Sequence, residues 1–565
     1  MTMGSHSGVA VACLVACGLV VASCSGAHSG VTAVEAVPNA EEFSRDAPLD
    51  EVASLPAMEA VHWDDCDGQD VPWECGAIDV PLDYRRPSVS GTVSLAVTRL
   101  PATGERIGSL VLNPGGPGGS GLDTAWSYAP HFPDDLLSRF DIVGFDPRGV
   151  GRSTAVDCGD LNRSFRVVER DCIARSGDLL PYVGTVNAAR DLELLRIALG
   201  DDQLTYLGFS YGTALGAVYA DLFPESVRAL VLAGSVDPDA GLYNVDGTAV
   251  GNWGMPFYGV QDFGGTAEMF FELCDATVEC PAGPDSRRLL DRVYEQVGDA
   301  STDYFEGWDE SVTSWQVDGI LANAMYNTDL WAPLAVALDD AARGDASTLA
   351  AMGSFMEAGY PRVDNPTDNF IEANFAIYCA DFAGRSGQFA VLDCEGWPET
   401  AEPLPPITPV ELDTPIVVIG TDGDPATPGF LAPQMADALG DAVSVRWEGA
   451  GHTAFLHSGC VDQIVVDYLV DLAVPTDRTR CDFTDDVDTT VARAEQVFLL
   501  DEAAWKLRLK QVFVDEGLSD IGADCMADEF AGEGRADLVV YARFGVQRPE
   551  YLRLRERAEA VCGLT

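Results

Sequence analysis

One serine has the sequence context of a nucleophile. Ser210 is the central residue of the pattern Gly-Phe-Ser-Tyr-Gly at 208–212. The apolar run 204–209 predicts a strand before it, and the run 213–222 predicts a helix after it. So sharp a turn forces Ser210 into a strained backbone conformation. Glycine fits on both sides of it because larger side chains would collide with neighbouring backbone. The pattern predicts a serine hydroxyl that stands clear at the edge of a sheet.

A serine hydroxyl becomes an effective nucleophile only when a base takes its proton, and histidine is the usual base. The chain has six histidines, of which His452 lies just past a predicted strand at 443–447. A loop at that place can reach the serine. His457, five residues further on, is the alternative base.

The imidazole of such a base needs a carboxylate that fixes its tautomer and stabilises its positive form. Asp424 follows the predicted strand 415–420 and directly precedes a Pro-Ala-Thr-Pro turn. Asp422 lies two residues earlier and is the alternative acid. Ser210, His452 and Asp424 therefore predict a triad for acyl transfer.

Attack on a carbonyl group creates an oxyanion that needs two backbone N–H donors. Tyr211, the residue after the serine, supplies one, and the glycine-rich loop 113–119 supplies the other. The two prolines of this loop have no N–H, so the second donor must be Gly115 or Gly116. A phosphate cradle is the alternative interpretation of the loop. The Gly-Lys-Ser/Thr ending and the Gly-x-Gly-x-x-Gly spacing of such cradles are both missing.

The elements that must position these residues alternate between strands and helices. Fully apolar strands in such an order predict an α/β fold with a mostly parallel, doubly wound sheet. The alternation stops at about residue 237 and resumes at about 406, which predicts an inserted, mainly helical cap over the carboxyl edge of the strands. The predicted divisions are a core at 61–236 and 406–481, a cap at 237–405 and a small helical module at 482–565.

The N-terminus has the features of an export signal. Residues 9–22 are apolar, too short for a membrane span of about 20 residues but suited to the core of a signal peptide. The run leads into Val-Ala-Ser-Cys, which resembles a bacterial lipobox and makes Cys24 the predicted lipidation site at the end of a signal peptide 1–24. The segment before the run contains no Lys or Arg, and ordinary secretion is the alternative. Residues 25–60 then form a predicted flexible tether between the outer face of a bacterial membrane and the core.

Cysteines point to the same compartment. Fifteen are present, and twelve lie beyond the signal peptide. An exported chain meets an oxidising environment in which neighbouring cysteines pair. Free buried thiols are the alternative, and a metal site is disfavoured because no Cys-x-x-Cys occurs. Sequence alone leaves the connectivity open; near neighbours along the chain are Cys66/Cys75, Cys158/Cys172, Cys274/Cys280, Cys379/Cys394, Cys460/Cys481 and Cys525/Cys562.

Charge and length exclude other classes of protein. The chain has 34 basic and 90 acidic residues, a net charge of −56, so it repels the phosphates of DNA and RNA and no nucleic-acid partner is expected. Its 565 residues are too many for one simple core. With 47% hydrophobic and 22% charged residues, the composition is globular rather than disordered.

Together these residues resemble the proline iminopeptidase and tripeptidyl aminopeptidase group of α/β-hydrolases. The chain order Ser210, Asp424, His452 is that of the superfamily. The resemblance covers about residues 61–481, and Ala-Ile-Tyr-Cys-Ala-Asp at 376–381 is similar to the secreted tripeptidyl branch. The other matching segments are 80–84, 113–121, 140–153, 208–212, 420–428 and 449–452.

The resemblance implies an exopeptidase that acts on peptides with a free N-terminus and requires no metal or cofactor. By position it implies the triad named above, with Gly116 and Tyr211 as the oxyanion donors. Pro114 stands where iminopeptidases have a histidine, which favours the tripeptidyl branch. Enzymes of this group hold the substrate ammonium with cap carboxylates, and Asp381 is the candidate here. The alternative for Asp381 is a structural acid.

Two other functions stay open. The same triad can act on an ester, a lactone or another amide, because the fold supports many chemistries. A surface lipoprotein that only binds peptides is the non-catalytic alternative. It predicts a degraded triad, whereas here each member has a candidate in chain order.

Overall fold

The structure, a computed structural model, describes most of the chain from residue 58 onward. The predicted signal peptide with Cys24, and the tether up to residue 57, lie outside the described residues. No helix in the described part of the chain is both long enough and apolar enough to cross a bilayer. The described residues are 58–66, 72–88, 90–161, 165–238, 265–277, 280–296, 312–359, 369–382, 394, 396–400, 402–483, 502–533 and 536–564.

A ten-stranded sheet forms the centre of the protein, in the order β1-β2-β3-β5-β4-β6-β7-β8-β9-β10. In this order, the seven strands from β5 to β10 are all parallel to one another. On the other side of β5, the strands β3, β2 and β1 are added by antiparallel pairing. The predicted mostly parallel sheet is confirmed, with an antiparallel side that the sequence pattern did not indicate. The strands are β1 (Asp64–Asp65), β2 (Glu74–Pro81), β3 (Thr92–Leu100), β4 (Gly108–Asn113), β5 (Phe140–Phe145), β6 (Leu204–Phe209), β7 (Val227–Ala233), β8 (Ile416–Gly423), β9 (Ala442–Ala450) and β10 (Thr479–Cys481).

Helices flank the sheet, fill the described part of the segment between β7 and β8, and follow β10. Those between β7 and β8 are α6 to α11, and those after β10 are α14 to α17. In chain order they are α1 (Gly121–Tyr128), α2 (Asp134–Arg139), α3 (Phe165–Ser176), α4 (Thr185–Leu199), α5 (Tyr211–Leu222), α6 (Thr266–Ala276), α7 (Ser286–Gln296), α8 (Ser314–Tyr326), α9 (Trp331–Ala342), α10 (Ser347–Gly359), α11 (Phe370–Phe382), α12 (Leu431–Leu439), α13 (Gly459–Asp471), α14 (Glu502–Asp515), α15 (Asp520–Ala531), α16 (Ala536–Phe544) and α17 (Pro549–Val561).

Both faces of the central strands β4 to β7 are buried, which explains why these strands are mostly apolar. On β7, Ala229, Val231 and Ala233 belong to the apolar cluster on one face, while Leu230 and Leu232 belong to the cluster on the other. All five side chains are completely buried. A sheet covered in this way exposes its carboxyl edge, where the loops after the strands meet.

The six cysteine pairs predicted from neighbouring positions are all disulfides in the structure, which confirms the prediction over free thiols. They close short loops, with separations from 6 residues for Cys274–Cys280 to 37 residues for Cys525–Cys562. The other four are Cys66–Cys75, Cys158–Cys172, Cys379–Cys394 and Cys460–Cys481.

The C-terminal helices pack against the helices that lie between β7 and β8. Their apolar cluster includes Val336 of α9. The sequence pattern indicated helices at 491–514 and 549–562 only; the structure adds α15 and α16, and residues 484–501 lie outside its described part. α15 is strongly acidic and α16 is only nine residues long, so neither shows a clear amphipathic pattern in the sequence.

A buried ion pair joins the C-terminal helices to α9. Asp340 is only 4% exposed, and its carboxylate lies 3.0 Å from Nη2 of Arg548. The same carboxylate accepts hydrogen bonds from the Thr348 hydroxyl at 2.7 Å and the Tyr541 hydroxyl at 3.4 Å. Arg548 also pairs with Asp345. These contacts attach the C-terminal helices to α9 and α10 rather than to the sheet.

We expect Arg548→Met to lower the free energy of unfolding by about 2 kcal/mol, because the buried Asp340 carboxylate loses a charged donor and keeps only the exposed Arg343, 3.0 Å away, as its counter-charge. Urea unfolding followed by circular dichroism measures this change. Arg553→Met is the matched control, since Arg553 is exposed on α17 and has no ion pair among the described residues. Equal stability of the two variants would contradict the expectation.

Candidate active site

Ser210 alone makes the turn between a strand and a helix. β6 ends at Phe209 and α5 begins at Tyr211. The φ of 54° and ψ of −123° at Ser210 are a strained conformation for a residue with a side chain, and cost about 1–3 kcal/mol. A Cβ atom at Gly208 would lie 2.5 Å from the carbonyl oxygen of Gly212, so only glycine fits there. The Ser210 side chain stays partly exposed.

Asp424 and His452 form a hydrogen-bonded pair. Both carboxylate oxygens of Asp424 lie 2.9 Å from Nδ1 of His452. The carboxylate is completely buried, and it also accepts from the backbone N–H groups of Ala426, Thr427 and Thr453 and from the Thr427 hydroxyl. Because Nδ1 faces a group that only accepts, the ring proton lies on Nδ1. The lone pair on Nε2 is then available to take another proton.

The end of β7 contacts both the serine turn and this pair. The N–H of Ser210 donates to the carbonyl oxygen of Ala233 at 2.9 Å. Gly234, the next residue, lies against the acid: a Cβ atom there would be 3.0 Å from Oγ1 of Thr427 and 3.6 Å from Oδ2 of Asp424. The serine turn and the Asp424–His452 pair are therefore neighbours at the carboxyl edge of the parallel strands, where ligands of such sheets bind.

The two alternative residues have other partners. Oδ1 of Asp422 accepts from Nε of Arg446 at 2.8 Å, and its other oxygen lies 3.5 Å from Arg480. Burial lowers the pKa of His457, and within the described residues no hydrogen bond joins this histidine to either aspartate. Of the candidates named from the sequence, the structure pairs only His452 with Asp424.

The glycine-rich loop contacts the serine turn. A Cβ atom at Gly115 would lie 2.9 Å from the backbone nitrogen of Tyr211 and 3.0 Å from Cβ of Ser210. The N–H of Gly115 is used, because it donates to Oδ1 of Asn113 at 3.0 Å. The N–H of Gly116 donates to no acceptor within the described residues. Of the two glycines, Gly116 is thus the one available to an incoming oxyanion.

Two residues of this site were not singled out from the sequence. Asn113 is the last residue of β4, pairs with Gly208 in register, and holds Gly115 in place. The Thr427 hydroxyl donates to Oδ2 of Asp424 at 2.9 Å, and the oxygen of this hydroxyl lies 3.5 Å from Nδ1 of His452. Both were recognisable only by position, Asn113 at the start of the loop and Thr427 inside the Pro-Ala-Thr-Pro turn.

Comparison with known proteins identifies the family. Residues 108–269 match a family model described as alpha/beta hydrolase fold, and residues 380–481 match one described as TAP-like protein. The tripeptidyl aminopeptidase of Streptomyces coelicolor is 30% identical over 491 residues, which cover 74% of this chain and 85% of that protein. The chain belongs to the tripeptidyl aminopeptidase group of α/β-hydrolases.

Other members of the group carry different names. Serine protease Hip1 of Mycobacterium tuberculosis (strain H37Rv) is 31% identical over 470 residues, 72% of this chain and 87% of that protein. Carboxylesterase B of the same organism is 32% identical over 468 residues, 72% of this chain and 86% of that protein. The predicted family is confirmed, and this α/β-hydrolase is a serine hydrolase of the peptidase type.

A helix between β7 and β8 of this α/β-hydrolase contacts the histidine directly. The N–H of His452 donates to the carbonyl oxygen of Tyr326 at 2.9 Å. The ring of Tyr326 meets the imidazole edge to face, with centroids 5.1 Å apart. Tyr326 is the last residue of α8 and is 36% exposed, so its ring forms part of the surface beside the imidazole. No motif marks this residue in the sequence.

The structure gives Asp381 the structural role rather than contact with a substrate ammonium. Asp381 is only 1% exposed. One carboxylate oxygen accepts from the N–H of Thr185 at 2.7 Å and the other from the Thr185 hydroxyl at 2.6 Å. Thr185 is the first residue of α4, and a carboxylate at a helix N-terminus is stabilised by the helix dipole. Burial and the two contacts with Thr185 favour the structural alternative for Asp381 over contact with a substrate amine.

Proposed function

We propose that this protein is an exported aminopeptidase that releases short peptides from the free N-terminus of a substrate through Ser210, His452 and Asp424. The observation that carries the proposal is the buried Asp424–His452 hydrogen bond, held beside the strained turn of Ser210. The relatives named tripeptidyl aminopeptidase and serine protease support a peptide substrate and a released unit of three residues.

In the first half of the reaction, Oγ of Ser210 attacks the scissile carbonyl carbon while Nε2 of His452 takes the hydroxyl proton. Asp424 stabilises the imidazolium that forms. The negative charge on the carbonyl oxygen is stabilised by the N–H groups of Gly116 and Tyr211. The carbon–nitrogen bond then breaks, the leaving amine takes the proton from His452, and the N-terminal fragment stays on the serine as an ester.

In the second half, water replaces the leaving peptide. Nε2 of His452 takes a proton from the water as it attacks the ester carbon, and the same oxyanion donors stabilise the second tetrahedral intermediate. Collapse returns the proton to Oγ of Ser210 and releases the N-terminal fragment as a carboxylate. The residues of this chain therefore supply the nucleophile, the base and the oxyanion donors, all of which are regenerated, and water is the second substrate.

We expect free peptides to lose a tripeptide, and N-acetylated copies of the same peptides to be cleaved about 100-fold more slowly in kcat/KM. An aminopeptidase that recognises a charged amine loses a charge-assisted interaction when that amine is blocked. Mass spectrometry of a digested peptide library, with and without acetylation, measures both the preference and the number of residues removed. Equal cleavage of free and blocked peptides would rule out the aminopeptidase activity.

The relative named carboxylesterase B favours a second candidate, an esterase that uses the same three residues. The two functions differ in the leaving group, since a p-nitrophenolate ion can leave without a proton whereas an amine needs one from His452. A protein that hydrolyses p-nitrophenyl butyrate but leaves every free peptide of the library intact would be an esterase instead.

The N-terminal sequence supports export and a lipid anchor on Cys24. The six disulfides are typical of proteins outside the cytoplasm. We expect Cys24→Ser to abolish labelling of the exported protein with radioactive palmitate and to move it from the membrane fraction to the medium, because the lipid supplies the membrane affinity. Cys17→Ser is the control, as this cysteine lies within the predicted signal peptide. Membrane-bound, labelled Cys24→Ser protein would exclude Cys24 as the lipidated residue.

A further inference from the structure

The glycine-rich loop also packs against a helix, α11. The Nδ2 group of Asn374 in α11 donates to the carbonyl oxygen of Pro117 at 2.8 Å. A Cβ atom at Gly118 would lie 2.8 Å from both the backbone nitrogen of Asn374 and the carbonyl oxygen of Phe370. Only glycine permits so close an approach between the loop and the helix.

The same loop is therefore held from two sides. Gly115 contacts the turn of Ser210 on one side, as described above. On the other, a Cβ atom at Gly116 would lie 3.0 Å from Cε2 of the Phe370 ring. Gly116 itself lies against α11 and directly follows Gly115, which lies against the serine turn, so the position of its N–H depends on both elements.

The far end of α11 reaches the second oxyanion donor. The Thr185 hydroxyl donates to Asp381 at 2.6 Å and lies 2.5 Å from the hydroxyl of Tyr211. A threonine hydroxyl has one proton, so the Tyr211 hydroxyl must donate to it. All three residues are buried, with exposures of 1% for Asp381, 0% for Thr185 and 5% for Tyr211. Burial raises the pKa of Tyr211, which keeps its hydroxyl protonated as a donor.

The helix itself is fixed to the core. Asn369, just before α11, accepts from the N–H of Gly151 at 2.7 Å and donates to the carbonyl oxygens of Gly149 and Val156 at 2.8 Å each. Near the other end, Cys379 forms a disulfide with Cys394. A helix fastened at both ends can hold a glycine-rich loop that has little rigidity of its own.

We propose that α11 positions both oxyanion donors, with Asn374 acting on Gly116 through Pro117, and Asp381 acting on Tyr211 through Thr185. The inference rests on the proposed function, since it assigns a role within the same reaction. Oxyanion donors must lie about 2.7–3.1 Å from the developing charge, and a misplacement of 1 Å costs about 100-fold in rate. The proposal also gives the segment Ala-Ile-Tyr-Cys-Ala-Asp at 376–381 a structural role, because Asp381 is its last residue.

Two variants test the two routes from α11 to the oxyanion donors, one through Pro117 and one through the Tyr211 hydroxyl. Asn374→Ala removes the hydrogen bond to Pro117, and Tyr211→Phe removes the hydroxyl while it keeps the backbone N–H and the ring. We expect each to lower kcat for tri-alanyl p-nitroanilide about 10- to 100-fold and to change KM by less than about two-fold. Ile371→Ala is the matched control, because Ile371 is 51% exposed on the same helix.

A transition-state analogue separates positioning from packing. Tri-alanine aldehyde forms a tetrahedral adduct with the serine and uses the oxyanion donors, whereas the product tri-alanine does not. We expect the affinity of each variant for the aldehyde to fall by the same factor as kcat, with the affinity for tri-alanine unchanged. Thermal unfolding of each variant confirms that the fold is retained, and Tyr211→Phe provides the test if Asn374→Ala does not fold.

Three outcomes decide the inference. Parallel losses of kcat and aldehyde affinity support it. Variants that bind the aldehyde as tightly as the wild type, or that lose affinity for aldehyde and tri-alanine alike, overturn it while the proposed function stands. A wild-type protein that a fluorophosphonate probe does not label at Ser210 overturns the proposed function and this inference together.

Discussion

Ser210→Ala is expected to lower kcat/KM for tri-alanyl p-nitroanilide by about 10⁴-fold or more, because alanine has no nucleophile to form the acyl-enzyme. The Asp424–His452 pair does not depend on the serine hydroxyl, so the rest of the site stays assembled. Release of p-nitroaniline measures the rate. Labelling by a fluorophosphonate probe, followed by mass spectrometry, shows whether the acyl group forms on residue 210.

Ser127→Ala is the matched control for this experiment. Ser127 is exposed on α1, and its hydroxyl donates only to the carbonyl oxygen of Asp123 within the same helix. This variant should retain the wild-type rate and the label. A Ser210→Ala protein that still turns over the arylamide at the wild-type rate would refute the assignment of the nucleophile.

Asp424→Asn is expected to lower kcat by about 10⁴-fold with little change in the fold of the strands. The aspartate accepts from Nδ1 of His452 and from donors on Ala426, Thr427 and Thr453. An asparagine has one oxygen fewer and adds a donor. When its NH₂ group faces Nδ1, the ring proton moves to Nε2, which then cannot accept a proton from the serine.

Asp422→Asn distinguishes the two neighbouring acids. This residue pairs with Arg446 and Arg480, so its loss should leave kcat within about two-fold of the wild type. Steady-state kinetics of the two variants, measured side by side, show which aspartate contributes more to kcat. A large loss of kcat in Asp422→Asn together with a small one in Asp424→Asn would reverse the assignment.

The serine turn was predictable because much of its geometry depends on contacts between near neighbours. Gly208 is required by the carbonyl oxygen of Gly212, and the pattern of strand, serine and helix is continuous in the chain. Gly212 differs, because a Cβ atom there would lie 2.8 Å from the carbonyl oxygen of Asn113 in a distant strand. The disulfides were predictable for the same reason, since each closes a short loop. Local steric rules are sufficient wherever both partners lie in one short segment.

The sequence favoured Asp424 over Asp422 only because Asp424 directly precedes the Pro-Ala-Thr-Pro turn. β8 extends through Gly423, so Asp422 is still within the strand and lies alongside β9, where Arg446 pairs with it. Asp424 is the first residue beyond the strand, and there the chain turns toward His452. The end of β8 decides which of the two aspartates faces His452. Its position depends on pairing with β9 and not on the residues of the loop alone.

By itself, the sequence determined the turn that strains Ser210, the apolar strands of the parallel sheet and the pairing of the cysteines, because each depends on residues close together in the chain. Only the tertiary structure decided that Asp381 binds Thr185 of a distant helix and that the C-terminal helices pack on α9. A carboxylate becomes structural when burial excludes water and other donors occupy its oxygens. That condition arises from elements far apart in the chain, so no local pattern contains it.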